Sequence, residues 1–228
     1  RFAWLISAFA FAVLFMAFLL PVCRLLYWVV GTGIDGLDSR FFSLIWRTFL
    51  LGAMAASLVL VLASWLAWVK RHQPSRAVSG SVQLATLGYA LPGAVLAVGL
   101  LIPMAAADNA LADLVEALTG VDIGLVMTGS AFAIIYAYSV RFCAIAQGAA
   151  DSAMGRITPS LPMAARSLGR SARGTLVAVY LPLIRGSVGT ALLLVFVDCV
   201  KELPATLLLR PFGYNTLATR VYEKASLE

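Results

Sequence analysis

Four charged side chains lie where a charge is costly. Arg141 sits in an apolar run covering about 124–148, flanked by Tyr136 and Tyr138. Asp198, Lys201 and Glu202 sit near the middle of another, about 186–209, within Phe196-Val-Asp-Cys-Val-Lys-Glu-Leu-Pro204. Each would cost roughly 2.5–3.5 kcal/mol on insertion scales if it faced lipid. On a helix, Asp198 and Glu202 share a face and Lys201 reaches Asp198 from the next turn. Pro204 removes a backbone bond and kinks or ends that helix. The four charges sum to zero, which leaves two readings open. One is an internally neutralised cluster that holds helices together, with Arg141 paired to Asp198 or Glu202. The other places the same charges beside a translocation route.

Other chemistries find little support. No Gly-x4-Gly-Lys-[Ser/Thr] phosphate loop occurs, so any ATP must be bound and hydrolysed by another chain. The single histidine, His72, stands in a basic loop, where it is expected to be solvated, and no nucleophile–base–orienter set accompanies it. Cys23, Cys143 and Cys199 all fall in apolar segments and read as small packing residues. Asp108, Asp113, Glu116 and Asp122 form an acidic loop that either attracts a cation or is simply solvated. They lack metal-site spacing. No catalytic residue, metal ligand or cofactor is therefore assigned.

The elements that must position these residues follow from composition. Of 228 residues, 61% are hydrophobic and 12% charged, with a mean hydropathy of +0.93. That is a helical membrane protein, since long apolar runs are unlike the alternation of a β-barrel. Five segments approach the roughly 20 apolar residues a span needs: about 4–30, 41–69, 82–107, 124–148 and 186–209. The first is too long for a signal-peptide core and reads as a retained span. Arg24, near its end, is expected to snorkel towards headgroups. Bases cluster after the second span (Lys70, Arg71, Arg76) and after the fourth (Arg156, Arg166, Arg170, Arg173, Arg185), while the loop after the third is acidic. The net charge of +6 thus reads as membrane orientation rather than nucleic-acid binding: basic loops and N-terminus inside, acidic loop and tail from Arg210 outside. The chain starts at Arg1 and stops at Glu228 without a final span, so a longer product with a further helix is expected.

The loop 149–185 is too long for a turn and too polar to span. Ser160 is placed to N-cap a short helix with Pro162 in its first turn, ended by Gly169. Ser171 is placed to cap a second helix running to Pro182. A helix so short needs a partner surface, and Ala164 and Ala165 would let one approach closely. A solvated loop whose arginines only fix topology is the plainer reading.

The run Met163-Ala164-Ala165-x3-Gly169-x9-Val179-x-Leu181-Pro182 resembles the EAA loop of ABC importer permeases, EAA-x3-G-x9-I-x-L-P. Ala164, Ala165, Gly169, Leu181 and Pro182 match at full spacing, Val179 replaces isoleucine, and Met163 replaces the glutamate. Methionine cannot close a Ser-x-x-Glu capping box. The stretch from Lys201 to Gly213, continuing through Asn215–Ala218 and Val221–Glu223, narrows the resemblance to the C-terminal half of iron(III)-type permeases. The resemblance implies an all-α type I importer permease fold of about five transmembrane helices in one domain. It also implies that Met163, Ala164, Ala165, Gly169, Leu181 and Pro182 contact an ABC ATP-binding subunit. Further implied partners are a periplasmic solute-binding protein and a second permease half, in the bacterial inner membrane. The chain itself would be no enzyme. Permeases for thiamine, phosphonates, polyamines, sulfate and molybdate share the loop. A secondary transporter or channel would account for the charges but not for the motif.

Overall fold

The computed structural model describes residues 2–32 and 39–227, all helical where regular, and divides into two compact units, 1–44 and 45–228. In the first, α1 (Ala3–Leu14) and α2 (Leu20–Thr32) join through a π-helical turn, Phe15–Leu19. They form one apolar rod, Trp4–Gly31, long enough to cross a membrane. Near its end the Arg24 guanidinium lies 5.1 Å from the Trp28 ring centre and 5.7 Å from that of Tyr27. This pairing suits a headgroup boundary.

The second unit is built on α3 (Ser39–His72), α5 (Gly93–Thr119), α6 (Ala131–Gly155) and α9 (Leu181–Lys201). With the first rod, these give five helical segments long and apolar enough to span. The most extensive helix pairing is α6 on α9. Ala55, Ala56, Ala63, Ala133, Ala137 and Ala146 are fully buried among these helices. Small residues let backbones approach where no hydrophobic drive separates helix from lipid.

Depth follows from helix rise. Lys70 pairs with Asp151 at 2.6 Å, and Thr48 accepts a hydrogen bond from the Leu217 N–H at 2.8 Å. Along α3, Thr48 and Lys70 are separated by about 33 Å of axis, close to the ~30 Å of bilayer hydrocarbon. Arg141 lies about 15 Å along α6 from Ala131 and about 15 Å from Asp151. It therefore stands at mid-depth.

Two expected spans are drawn differently. Where hydropathy marks 82–107, the chain forms α4 (Arg76–Thr86), a 3-10 turn (Leu87–Ala90) and then α5, which starts only at Gly93. Leu91 is extended, as a residue before proline prefers to be. The turn presses on α6 so closely that a Cβ on Gly88 would collide with the Val140 carbonyl. α5 then runs through Asp108, Asp113 and Glu116, which hydropathy had assigned to a loop. Where hydropathy marks 186–209, helix continues from α8 (Ala172–Thr175) through a π-helical turn, Leu176–Tyr180, into α9, and breaks at Glu202–Leu203 before α10 (Pro204–Leu209). Pro182 does not end the second loop helix. The π turn just ahead of it supplies the slack that a proline ring needs against the preceding carbonyls.

After α10, a turn leads to α11 (Leu217–Ser226), closed by a reciprocal Thr216–Thr219 cap. Arg210 holds Asn215 and, at 2.8 Å, Glu223. Arg47 donates to the Gly213 carbonyl at 3.4 Å and lies 5.5 Å from the Tyr214 ring centre. Hydrogen bonding from Arg210, then Arg220, holds the Glu223 carboxyl below its usual range despite an opposing desolvation. Its contribution is present above the ordinary carboxylate pKa and lost as pH falls through the lowered folded value. Hydrogen exchange in α11 is therefore expected to accelerate selectively in strong acid, after correction for intrinsic rates, and Glu223→Gln should give the same release at neutral pH. Gly88→Ala should lower the thermal midpoint by an amount equivalent to about 1–3 kcal/mol in a detergent melt. Gly99→Ala, with open space around it, should not.

Candidate functional site

Both chain breaks of the second unit meet Arg141. Its Nη1 donates to the Leu91 carbonyl at 2.9 Å, at the break before α5. Its Nε lies 3.3 Å from Glu202 Oε2, at the break after α9. Glu202 Oε1 accepts the Ala205 N–H of α10 at 3.3 Å and occupies the space a Cβ on Gly93 would need, at the first turn of α5. One carboxylate thus lies at the N-termini of two interrupted helices, where free N–H groups and the helix dipole favour an anion. Below it, Tyr138 Oη and Thr206 Oγ1 are 2.5 Å apart, and Thr206 Oγ1 donates to the Glu202 carbonyl at 2.7 Å. Glu202 is 8% exposed and Arg141 20%.

Of the four mid-membrane charges, the structure pairs Arg141 with Glu202 and, separately, Lys201 with Asp198 at 2.6 Å. Asp198 does not reach Arg141, because α9 ends between it and Glu202 and turns the two carboxylates to different neighbours. Leu91, Gly93 and Thr206 belong to the junction although sequence reading did not single them out, and Tyr138, noted there only as a neighbour of Arg141, joins them. The signal available was the pair of interruptions, Pro92-Gly93 and Pro204, inside apolar runs.

The acidic loop is split by its surroundings. Asp108 is fully buried, and its carboxylate accepts the backbone N–H groups of Val126, Met127 and Thr128 at 3.1, 2.8 and 2.6 Å. It ties α5 to the segment entering α6 and has no freedom to attract a solute. Asp113, Glu116 and Asp122 remain exposed. Among the described residues, no three His, Cys, Asp or Glu side chains gather as for a metal.

At the other end, Arg71 donates to the carbonyls of Met154, at 2.6 Å, and Ile157, closing the end of α6. His72 is exposed but not merely solvated, since its ring stacks on Trp68 at 3.8 Å. There α7 (Ser160–Ser167) stands as a separate short helix. Ser160 is not its N-cap. Pro159 takes that position, and the Ser160 hydroxyl meets that of Thr158 at 3.1 Å. Met163 therefore lies beyond the capping-box position as well. The C-terminus closes as foreseen at Gly169, whose φ is +80°. The Gly169 N–H donates to Arg166 O at 2.9 Å and the Arg170 N–H to Ala165 O at 3.1 Å, a complete Schellman closure. Ser171 caps the next helix by accepting the Gly174 N–H at 3.1 Å. Met163, Leu168 and Leu181 are 65%, 85% and 55% exposed; Ala164 and Pro182 are exposed and Ala165 half-buried. Between α7, the end of α3 and the stretch from α8 to the π-helical turn lies an open cleft of about 530 Å³, lined in part by Trp68, Arg71, Pro162, Met163 and Tyr180.

Removing one member of the Arg141–Glu202 pair leaves a buried charge without its partner. Glu202→Ala is expected to cost about 3–5 kcal/mol in an unfolding titration. The double variant Arg141→Met/Glu202→Leu should recover a large part of that loss.

No family model matches the chain. It is 30% identical over 209 residues to the Fe(3+)-transport system permease protein FbpB 2 of Haemophilus influenzae. The alignment covers 90% of this chain and 38% of that protein, so the chain spans about two fifths of the relative it matches. All-helical, with five candidate membrane spans, and aligned along nine tenths of its length, the chain is a homologue of an ABC-type permease.

Proposed function

We propose that the chain is the membrane-spanning part of an ATP-driven importer, passes solute and hydrolyses no ATP. In this reading α7 docks in a separate ABC ATP-binding subunit. The observation that carries the reading is α7 itself: a short helix at the basic end of the spans, closed at its C-terminus by Gly169, with Met163, Ala164 and the capping Leu168 offered to solvent. Such a helix gains little from its own hydrogen bonds and needs a surface to pack on. Its match to the coupling-loop spacing from Ala164 to Pro182 names the surface. A secondary transporter would use the broken helices but has no use for α7.

The basic end is then cytoplasmic and the acidic loop external, in a bacterial inner membrane. A periplasmic solute-binding protein delivers the solute, and a second permease half completes the pathway. The relative's name supports iron(III) as that solute. Thiamine, phosphonate, polyamine and sulfate remain the alternatives. Arg141, Asp198, Lys201 and Glu202 lie along or beside the route.

Copurification with an ATP-binding subunit, followed by deletion of Met163–Gly169, tests the assignment. ATP hydrolysis should lose its response to the binding protein, and an undiminished response would sink the reading. Gly169→Val forces a β-branched residue into left-handed backbone and should reduce coupled hydrolysis while leaving the spans folded. Met163→Glu should leave transport-coupled hydrolysis at or above its starting rate, because the position faces solvent and matches the motif's acid.

A further inference from the structure

At the mid-membrane junction the charges are not equally presented. The Glu202 carboxylate is 8% exposed and used by Arg141 and the Ala205 N–H. The Asp198 carboxylate is 19% exposed, tucked one turn back along α9, whereas the Lys201 side chain is 69% exposed. Its neighbour one turn earlier on the same face, Val197, is 54% exposed. Lys201 adjoins Glu202, and Glu202 meets Arg141 at mid-depth, so the membrane edge is about 15 Å away. That is far beyond what a four-carbon side chain can reach by snorkelling. The ammonium is also held one turn back along α9 by Asp198 at 2.6 Å. A strongly hydrated point charge at this depth and exposure requires water, a polar solute or a polar protein surface opposite it, not lipid. The adjoining chain breaks, at Leu91–Pro92 and Glu202–Leu203, are a feature that membrane proteins tolerate only in protein or beside water.

We propose that Lys201 lines the aqueous route and contacts the solute, and that this contact favours a solute presenting anionic groups. The proposal rests on the permease reading and narrows the class of solute that the route accepts. Glu202 is spent on Arg141, and of the Lys201–Asp198 pair the ammonium is the more exposed member, so the face turns the cationic end of that pair towards a passing solute. A metal ion meets this face with its charge offset by anionic ligands; a bare cation is disfavoured.

The test needs neither ATP nor a known solute. In cells producing the whole polypeptide, with Cys23, Cys143 and Cys199 replaced by alanine, Val197→Cys is challenged with two water-soluble methanethiosulfonates. One is an anionic ethylsulfonate and the other a cationic trimethylammonium. We expect modification by both, with the anionic reagent faster. Lys201→Gln should lower the anionic-to-cationic rate ratio several-fold, and Lys201→Glu should invert it. Lys201→Arg should keep the ratio. The neutral pair Asp198→Asn/Lys201→Gln should behave as Lys201→Gln does, which guards against misfolding from an unpaired Asp198. A Val197→Cys that neither reagent modifies, or a ratio unmoved by Lys201→Gln, overturns the proposal. Either failure leaves the coupling assignment standing, since labelling does not involve the ATPase.

Discussion

Interrupting a helix inside a bilayer exposes backbone groups that lipid cannot satisfy, and this protein interrupts two helices at the same depth. The Glu202 carboxylate and the Arg141 guanidinium resolve both interruptions together. Glu202 serves the first turn of α10 and lies against that of α5, while Arg141 takes the Leu91 carbonyl left free by the break. Neither charge would be tolerated there alone, and neither break would be tolerated without them. The tight approach of Gly88 to α6, the Tyr138–Thr206 bond and the course of α10 all follow from holding this junction closed.

The same economy recurs at the end opposite Lys70 and Asp151. Asp108 spends its carboxylate on three successive N–H groups, which fixes how the chain re-enters α6. A buried acid satisfied by backbone donors is structural, and its presence turns a segment that reads as a loose acidic loop into a clamped one. Arg71 does the converse at the basic end by donating to carbonyls at and just past the end of α6. Charges in this chain chiefly close helix ends, and Lys201 stands apart because its side chain stays largely exposed although its ammonium pairs with Asp198.

The loop helix α7 is stabilised differently. It has no buried residue of its own and depends on the Schellman closure at Gly169 and on α8 behind it. Because the π turn at Leu176–Tyr180 carries helix through Pro182, α8 is continuous with α9. A displacement of the α7–α8 corner therefore acts on a rod that ends at Lys201 and Glu202. That continuity links the exposed corner at α7–α8 with the mid-membrane junction.

Much of this was legible in the residues themselves. Hydrophobic runs determined an all-helical membrane protein, because only helices satisfy their backbone within so apolar a segment. Spacing determined the short helix and its glycine closure, since a left-handed C′ position and a proline-bearing first turn are local demands. Sequence alone did not determine where the spans begin and end. Hydropathy averages over a window and cannot see that Leu91–Pro92 and Glu202–Leu203 are broken, or that the Asp108 carboxylate is satisfied by backbone donors eighteen to twenty residues away. Nor could it choose between Asp198 and Glu202 as the partner of Arg141: on an unbroken helix the two share a face. Only the tertiary structure, by ending α9 between them, gave one carboxylate to the junction and left the other to Lys201.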